Sequence, residues 1–255
     1  MPAVFEKELA FANELADRAA EIAMGFFGGE FEVRRKADRT PVTEADLQIE
    51  AMIRERLEAR FPQDAILGEE EGESGNGDRA WIVDPIDGTK NFADGIQIWG
   101  TLIGFAVEGR PVVGVASAPG LGERYEAAQG SGARLDNIPI RVSAVGDVSE
   151  ALVAYGGLES WLASSDASRF TELVAKVRRT RGVGDFWGHM LVARGAADVM
   201  VERELRTWDT AALQPIIEEA GGRITTLDGG ALSDRSSVLA TNGLLHDEMV
   251  RRFAR

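Results

Sequence analysis

The amino-acid sequence predicts an α+β fold in two subdomains, residues 1–140 and 141–255, with a cleft between them. Three observations lead there. Apolar residues recur at helical spacing through the first sixty positions. Two apolar runs, Thr101–Val107 and Pro111–Ser117, flank the turn Glu108-Gly109-Arg110 and predict a hairpin. Beyond residue 150, strand-like and helix-like segments alternate on a different rhythm.

Taken in order, residues 4–27 carry Leu9, Ala12, Leu15, Ala16, Ala19, Ile22, Ala23 and Phe26 on one helical face, and Gly28-Gly29 ends the helix. Thr43-Glu44-Ala45-Asp46 predicts a helix start, with Thr43 as the cap and acids in the first turn. That helix is expected to reach about Arg60 and to bury Leu47, Met52, Ile53 and Leu57. Ala65-Ile66-Leu67 is a short strand, and the glycine-rich acidic residues 68–79 read as a mobile loop. Ala80-Trp81-Ile82-Val83 is a buried strand ending in Asp84. More short strands run to about Leu135. The second half predicts strands at Ala151–Tyr155, Ala197–Glu202 and Ser237–Thr241. It predicts helices at Ser168–Val177, Gly188–Gly195, Thr210–Ala220 and Leu244–Phe253. Gly221-Gly222 ends the third of these.

Composition narrows the chemistry. With no cysteine there is no disulfide, thiolate zinc site or cysteine nucleophile. The net charge of -14 opposes binding to nucleic acid or an anionic membrane, which needs basic patches. No apolar stretch approaches the roughly 18 residues that span a bilayer. The first residues lack the pattern of a secretion signal. A cytoplasmic protein is the default expectation. An acidic protein that handles phosphate must draw cations from elsewhere, and divalent metals are the obvious source.

Asp84-Pro85-Ile86-Asp87-Gly88-Thr89 carries that idea further. The strand delivers Asp84 to a sheet edge, Pro85 stiffens the turn, and Gly88 lets backbone approach a ligand closely. A helix starting near Thr89 would point free N–H groups at a phosphate. Asp84 and Asp87 can converge on one hard cation, with a backbone carbonyl as a further oxygen ligand. Two acids in a turn are commonly just solvated. Two more segments change the balance: Gly68-Glu69-Glu70 after a short strand, and Trp208-Asp209 before the helix that ends at Gly221-Gly222.

Together with Asp46, these segments match the motif set of the lithium-sensitive magnesium phosphatases, and the chain resembles the inositol-monophosphatase family along essentially its whole length. The resemblance implies a layered αβαβα sandwich and two to three Mg²⁺ ions. It implies that Glu69, Asp84 and the Ile86 carbonyl hold the first ion. Asp84, Asp87 and Asp209 would hold the second, and Glu70 a weaker third. Thr89, paired with Asp46, would orient and help deprotonate the attacking water. Asp87, Gly88, Thr89 and Asp209 would meet the substrate. It also implies lithium inhibition and a homodimer. Physically, two metals about 3.5–4 Å apart can activate water and stabilise the leaving oxygen. Four carboxylates neutralise two such ions, so a phosphate dianion needs further positive charge. A third ion at Glu70, or Lys36, would supply it.

Two rival readings are weaker. A haloacid-dehalogenase-type phosphatase needs an Asp two residues before Asp87, where Pro85 stands. A non-catalytic magnesium-binding module has no use for Thr89 and Asp46. Of the two histidines, His246 reads as structural and His189 as a packed core residue. The segment 182–190, with Asp185 followed by Phe186-Trp187-Gly188-His189-Met190, is similar to that of the histidinol-phosphate phosphatases of the superfamily. Asp185 and Glu202 then suit a small phosphorylated metabolite with a cationic organic part. Inositol monophosphate is the alternative substrate.

Overall fold

The computed structural model describes residues 4–29, 33–35 and 41–254. Helix α1 (Glu6–Phe26) buries Ala12, Leu15, Ala16, Ala19 and Ala23 on one face. The alanines let its axis lie close to what it covers. Strands β1 (Val33–Arg35) and β2 (Pro41–Thr43) form a two-stranded antiparallel ribbon leading into α2 (Glu44–Arg60). The start of α2 is a full capping box. The Asp46 amide donates to Thr43 Oγ1, while Asp46 Oδ2 accepts the Thr43 amide at 2.8 Å. Ile53 and Leu57 are buried as expected, and Met52 is partly buried. Leu47 is not: 39% of it remains exposed. The buried face of α2 instead runs through Ala45, Ile49, Ile53 and Leu57, and Leu47 lies off that stripe.

The larger sheet has eight strands in the order β10-β9-β8-β7-β6-β5-β3-β4. They are β3 (Ala65–Gly68), β4 (Gly72–Ser74), β5 (Arg79–Asp87), β6 (Gly100–Val107), β7 (Arg110–Ala118), β8 (Glu123–Ala128), β9 (Ala133–Leu135) and β10 (Ile138–Pro139). The short helix α3 (Thr89–Ala93) connects β5 to β6. Helices α1 and α2 cover one face, packing on Trp81, Val83, Ile103 and Phe105. The other face, with Ile82, Leu102 and Ala116, meets a central helical layer.

That layer holds α6 (Asp185–Ala193), α7 (Thr207–Ala211) and α8 (Leu213–Glu219). Beyond it lies a five-stranded mixed sheet, β12-β11-β13-β15-β14. Its strands are β11 (Leu152–Tyr155), β12 (Arg179–Gly182), β13 (Val199–Leu205), β14 (Arg223–Thr226) and β15 (Ser236–Thr241). A 3-10 turn, Val148–Glu150, precedes β11. The outer face of this sheet is closed by α4 (Leu158–Leu162), α5 (Ala167–Val174) and α9 (His246–Phe253) around Trp161, Phe170, Val199 and Val201. The result is a five-layer αβαβα sandwich.

Several elements differ from expectation for local reasons. Residues 68–79 are not all loop: Gly72–Ser74 form β4 and pair antiparallel with β3. The Glu50 carboxylate accepts the amides of Glu70 and Glu71 at 2.8 and 2.9 Å. Arg54 bonds the Gly72 carbonyl and the Ser74 hydroxyl. The helix expected at Thr210–Ala220 is two helices. Pro215 has no N–H for the Ala211 carbonyl four residues back, and the break falls there. Strand β5 does not stop at Asp84 but continues through a bulge to Asp87. Helix α5 ends at Val174, short of Val177.

Candidate active site

The bulge in β5 is the first element of the site. Opposite Leu102 and Gly100 on β6 stand Asp84 and Asp87, three residues apart against two. In a regular strand, residues three apart point to opposite faces. The extra residue turns Asp87 to the side that Asp84 already faces. On that side Ile82 packs against α7. Strand β3 runs parallel to β5 with Gly68 beside Val83. Glu69 therefore emerges next to Asp84, its amide donating to the Val83 carbonyl at 3.2 Å.

Asp209 arrives from the other direction. It sits in the first turn of α7, where its Oδ2 accepts the Arg206 amide at 2.7 Å. The central helices can approach because β6 and β7 present glycines to them. A Cβ on Gly114 would lie 2.0 Å from the Ala212 carbonyl oxygen, and one on Gly104 would lie 2.9 Å from Ala211. Carboxylate oxygens of Asp84, Asp87 and Asp209 consequently lie within 4.8 Å of one another.

These acids line a cavity of about 670 Å³ together with Glu69, Ile86, Gly88, Thr89, Asp185 and Glu202. Gly88 occupies the left-handed region at φ 80°, and a Cβ there would stand 2.9 Å from the Ile98 carbonyl oxygen. Asp46 and Glu70 are not among the lining residues. Lys36 lies outside the described residues. The Thr89 hydroxyl donates to the Ile86 carbonyl at 2.9 Å. Asp46 Oδ2 accepts the Thr43 amide and hydroxyl, so it is engaged at its own helix start. The expected Thr89–Asp46 pair is not made through the Thr89 proton.

The other end of the cavity is built on α6 and β13. The helix begins at Asp185, three residues earlier than expected, because remote carboxylates accept its first amides. Glu202 Oε1 takes the Asp185 N–H at 3.2 Å, and Asp87 Oδ2 takes the Phe186 N–H at 2.7 Å. Asp185 itself has φ 52°, and its Oδ2 accepts from Asn91 Nδ2 at 2.9 Å. Sequence reasoning missed Asn91, Tyr155 and Lys90, all of which line the cavity. Lys90 and Asn91 directly follow Thr89, so their place in the chain was the available signal.

Among the described residues, seven carboxylates and a single lysine line this cavity, so negative charge is crowded together. Burial, then the neighbouring Glu69, Asp87 and Asp209, push the Asp84 carboxyl well above the usual range. Burial and Asp185 do the same to Asp87, against the stabilising Phe186 amide. Burial pushes Asp209 up to about 7 against the Arg206 amide. Burial and Glu202 push Asp185 to about 7, with Lys90 opposing. Asp84 Oδ1 is buried without a hydrogen-bond partner among the described residues. An all-oxygen donor set, crowded negative charge and an orphaned carboxylate oxygen together fit a hard divalent cation.

The model of the inositol monophosphatase family matches residues 5–255. The chain belongs to that family. Among curated relatives it is 44% identical to the histidinol-phosphatase of Mycobacterium tuberculosis, over 96% of this chain and 97% of the relative. It is 42% identical to the histidinol-phosphatase of Streptomyces coelicolor, over 95% of each. Among solved structures, the extragenic suppressor protein suhB of Bartonella henselae superposes with a TM-score of 0.91 at 28% identity, covering 97% of this chain and 98% of that one. The family fold and the five layers seen here agree. No described helix of this family member is long and apolar enough to cross a membrane.

Proposed function

We propose that this protein is a magnesium-dependent phosphomonoesterase that hydrolyses histidinol phosphate to histidinol and phosphate. One observation carries the reading: the cluster of Asp84, Asp87 and Asp209 shares a single cavity with the second pair of acids, Asp185 and Glu202. The first group suits a phosphate bound through divalent cations. The second suits an organic part bearing an ammonium and an imidazole. The names of the relatives from Mycobacterium tuberculosis and Streptomyces coelicolor support the same substrate.

Glu69, Asp84, Asp87, Asp209 and the Ile86 carbonyl would hold magnesium. When bound, it supplies positive charge to the phosphoryl oxygens and makes a water more acidic. Glu70 would serve a further ion from the turn that Glu50 ties down. Thr89 would place the attacking water, its hydroxyl already anchored on Ile86. Lys90, which lines the cavity, would add positive charge beside the phosphate, as Lys36 was expected to do. Asp185 and Glu202 would accept charge-assisted hydrogen bonds from the substrate's cationic groups. Residues 1–140 would thus bring most of the phosphate end, and residues 141–255 Asp209 and the organic end. Homodimerisation, lithium inhibition and a cytoplasmic setting extend the family resemblance, and sedimentation tests the first of them.

The test is phosphate release from histidinol phosphate and from inositol monophosphate, with magnesium and with excess chelator. The reading requires a preference for histidinol phosphate and loss of both activities in chelator. Undiminished hydrolysis in chelator would sink the metal assignment. A preference for inositol monophosphate would replace the substrate and leave the rest standing.

A further inference from the structure

His189 lies on α6 with no solvent exposure. Its Nε2 is 3.3 Å from Glu202 Oε2, and its Nδ1 has no hydrogen-bond partner among the described residues. Toward an ionised carboxylate, which only accepts hydrogen bonds, the Nε2–H tautomer makes this contact a donated one. Burying an imidazole is costly where a leucine or methionine would fill the same space freely. Among the described residues, the single polar contact of this ring is Glu202.

Glu202 has three side-chain torsions and reaches from β13 toward the cavity. Its other oxygen, Oε1, accepts the Asp185 amide. A Cβ on Gly156 would lie only 2.1 Å from Oε1, so the carboxylate is wedged on that flank as well. The next amide, that of Phe186, is held by Asp87. His189 thus stands behind a chain of contacts that runs from the core through Glu202 and the start of α6 to the acid cluster. It does not itself line the cavity.

We propose that His189 is a positioning residue for substrate selectivity. It fixes the Glu202 carboxylate in one orientation, so that the group supports the Asp185 amide and faces the organic part of the substrate together. It acts on recognition and leaves the phosphoryl chemistry alone. This rests on the reading of the cavity as a phosphomonoester site.

The experiment compares the intact enzyme with His189→Leu, His189→Gln, Glu202→Gln and the double variant H189L/E202Q at saturating magnesium. Steady-state kcat and KM are measured for histidinol phosphate and inositol monophosphate. His189→Leu is expected to raise KM for histidinol phosphate about tenfold, with kcat within about twofold, the scale of one charge-assisted hydrogen bond. His189→Gln keeps an N–H at similar reach and should restore most of the loss. In the Glu202→Gln background, His189→Leu should add less than about twofold, because its partner is already gone. Losses that multiply in the double variant overturn the proposal. So does a fall in kcat for both esters that glutamine fails to rescue, since that marks simple core packing. If the wild type prefers inositol monophosphate, the substrate reading has failed, and the same cycle on that ester still decides the coupling. Should the leucine variant fold poorly, Glu202→Gln is examined with His189 intact. The His189 Nε2 proton resonance must move in that variant, and an unchanged resonance refutes the contact.

Discussion

The two ends of the cavity treat negative charge differently. Where Asp84, Asp87 and Asp209 converge, Asp84 keeps a buried oxygen without a hydrogen-bond partner among the described residues, and its nearest charged neighbours are other acids. At the end built on α6 and β13 the carboxylates are met by protein groups. Asp185 accepts from Asn91, and Glu202 accepts from the Asp185 amide and pairs with His189 Nε2. A carboxylate with protein donors on its oxygens is already oriented. A cluster of carboxylates facing one another gains its orientation and its stability from a cation. The cation-dependent cluster suits binding power, and the pre-oriented carboxylates suit discrimination between organic groups.

The strongest way to break this contrast is Asp84→Asn. It removes charge from the centre of the cluster, so kcat/KM should fall on the order of a thousandfold or more. A magnesium titration followed by intrinsic fluorescence should show weakened binding in parallel. Retained affinity would place the cation elsewhere.

Asp185→Asn and Glu202→Gln probe the other end. Each should cost histidinol phosphate roughly ten- to a hundredfold in kcat/KM, at 1.4 kcal/mol per tenfold. Inositol monophosphate hydrolysis should change much less. A parallel fall for both esters at fixed magnesium would make these acids part of the scaffold or of the metal site.

The contrast also has a pH signature. Asp209 is pushed from 3.8 to about 7 in the folded protein. Between those values the folded state binds more protons than the unfolded state, so stability contributed by this group is present at low pH and is lost as pH rises toward about 7. Melting temperature in chelator should therefore fall across that window. Saturating magnesium binds the ionised form and should flatten or reverse the slope. A chelated protein that gains stability over the same range would contradict the assignment.

Glu70→Gln is the mildest test. Glu70 does not line the cavity, and Glu50 holds its amide whatever its side chain carries. The change should cost less than about threefold at saturating magnesium, because the remaining acids keep the cluster. An effect equal to that of Asp84→Asn would move Glu70 to the centre of the site.

Some of this was legible along the chain and some was not, for reasons visible at particular residues. Thr43 and Asp46 announce a helix start because the cap spans three residues. The hairpin of Gly100–Val107 and Arg110–Ala118 is equally local. Strands β12 and β14, with the sequences RTRG and RITT, escaped notice. They lie at the edges of their sheet, where one flank is unpaired and apolar alternation weakens. Lys90 and Asn91 carry no pattern of their own beyond following Thr89.

The sequence by itself singled out Glu69, Asp84, Asp87 and Asp209, since they stand in short motifs at element ends. Tertiary structure alone decided how they converge. A bulge re-aims Asp87, and two glycines admit the helix carrying Asp209. It alone decided that α6 begins at Asp185, because Asp87 and Glu202, 99 and 17 residues away along the chain, accept its first amides. Short-range capping and strand-end chemistry act within a few residues and can be read from the chain. Close approach and remote hydrogen bonding depend on which layers meet, and only the folded packing of those layers specifies that.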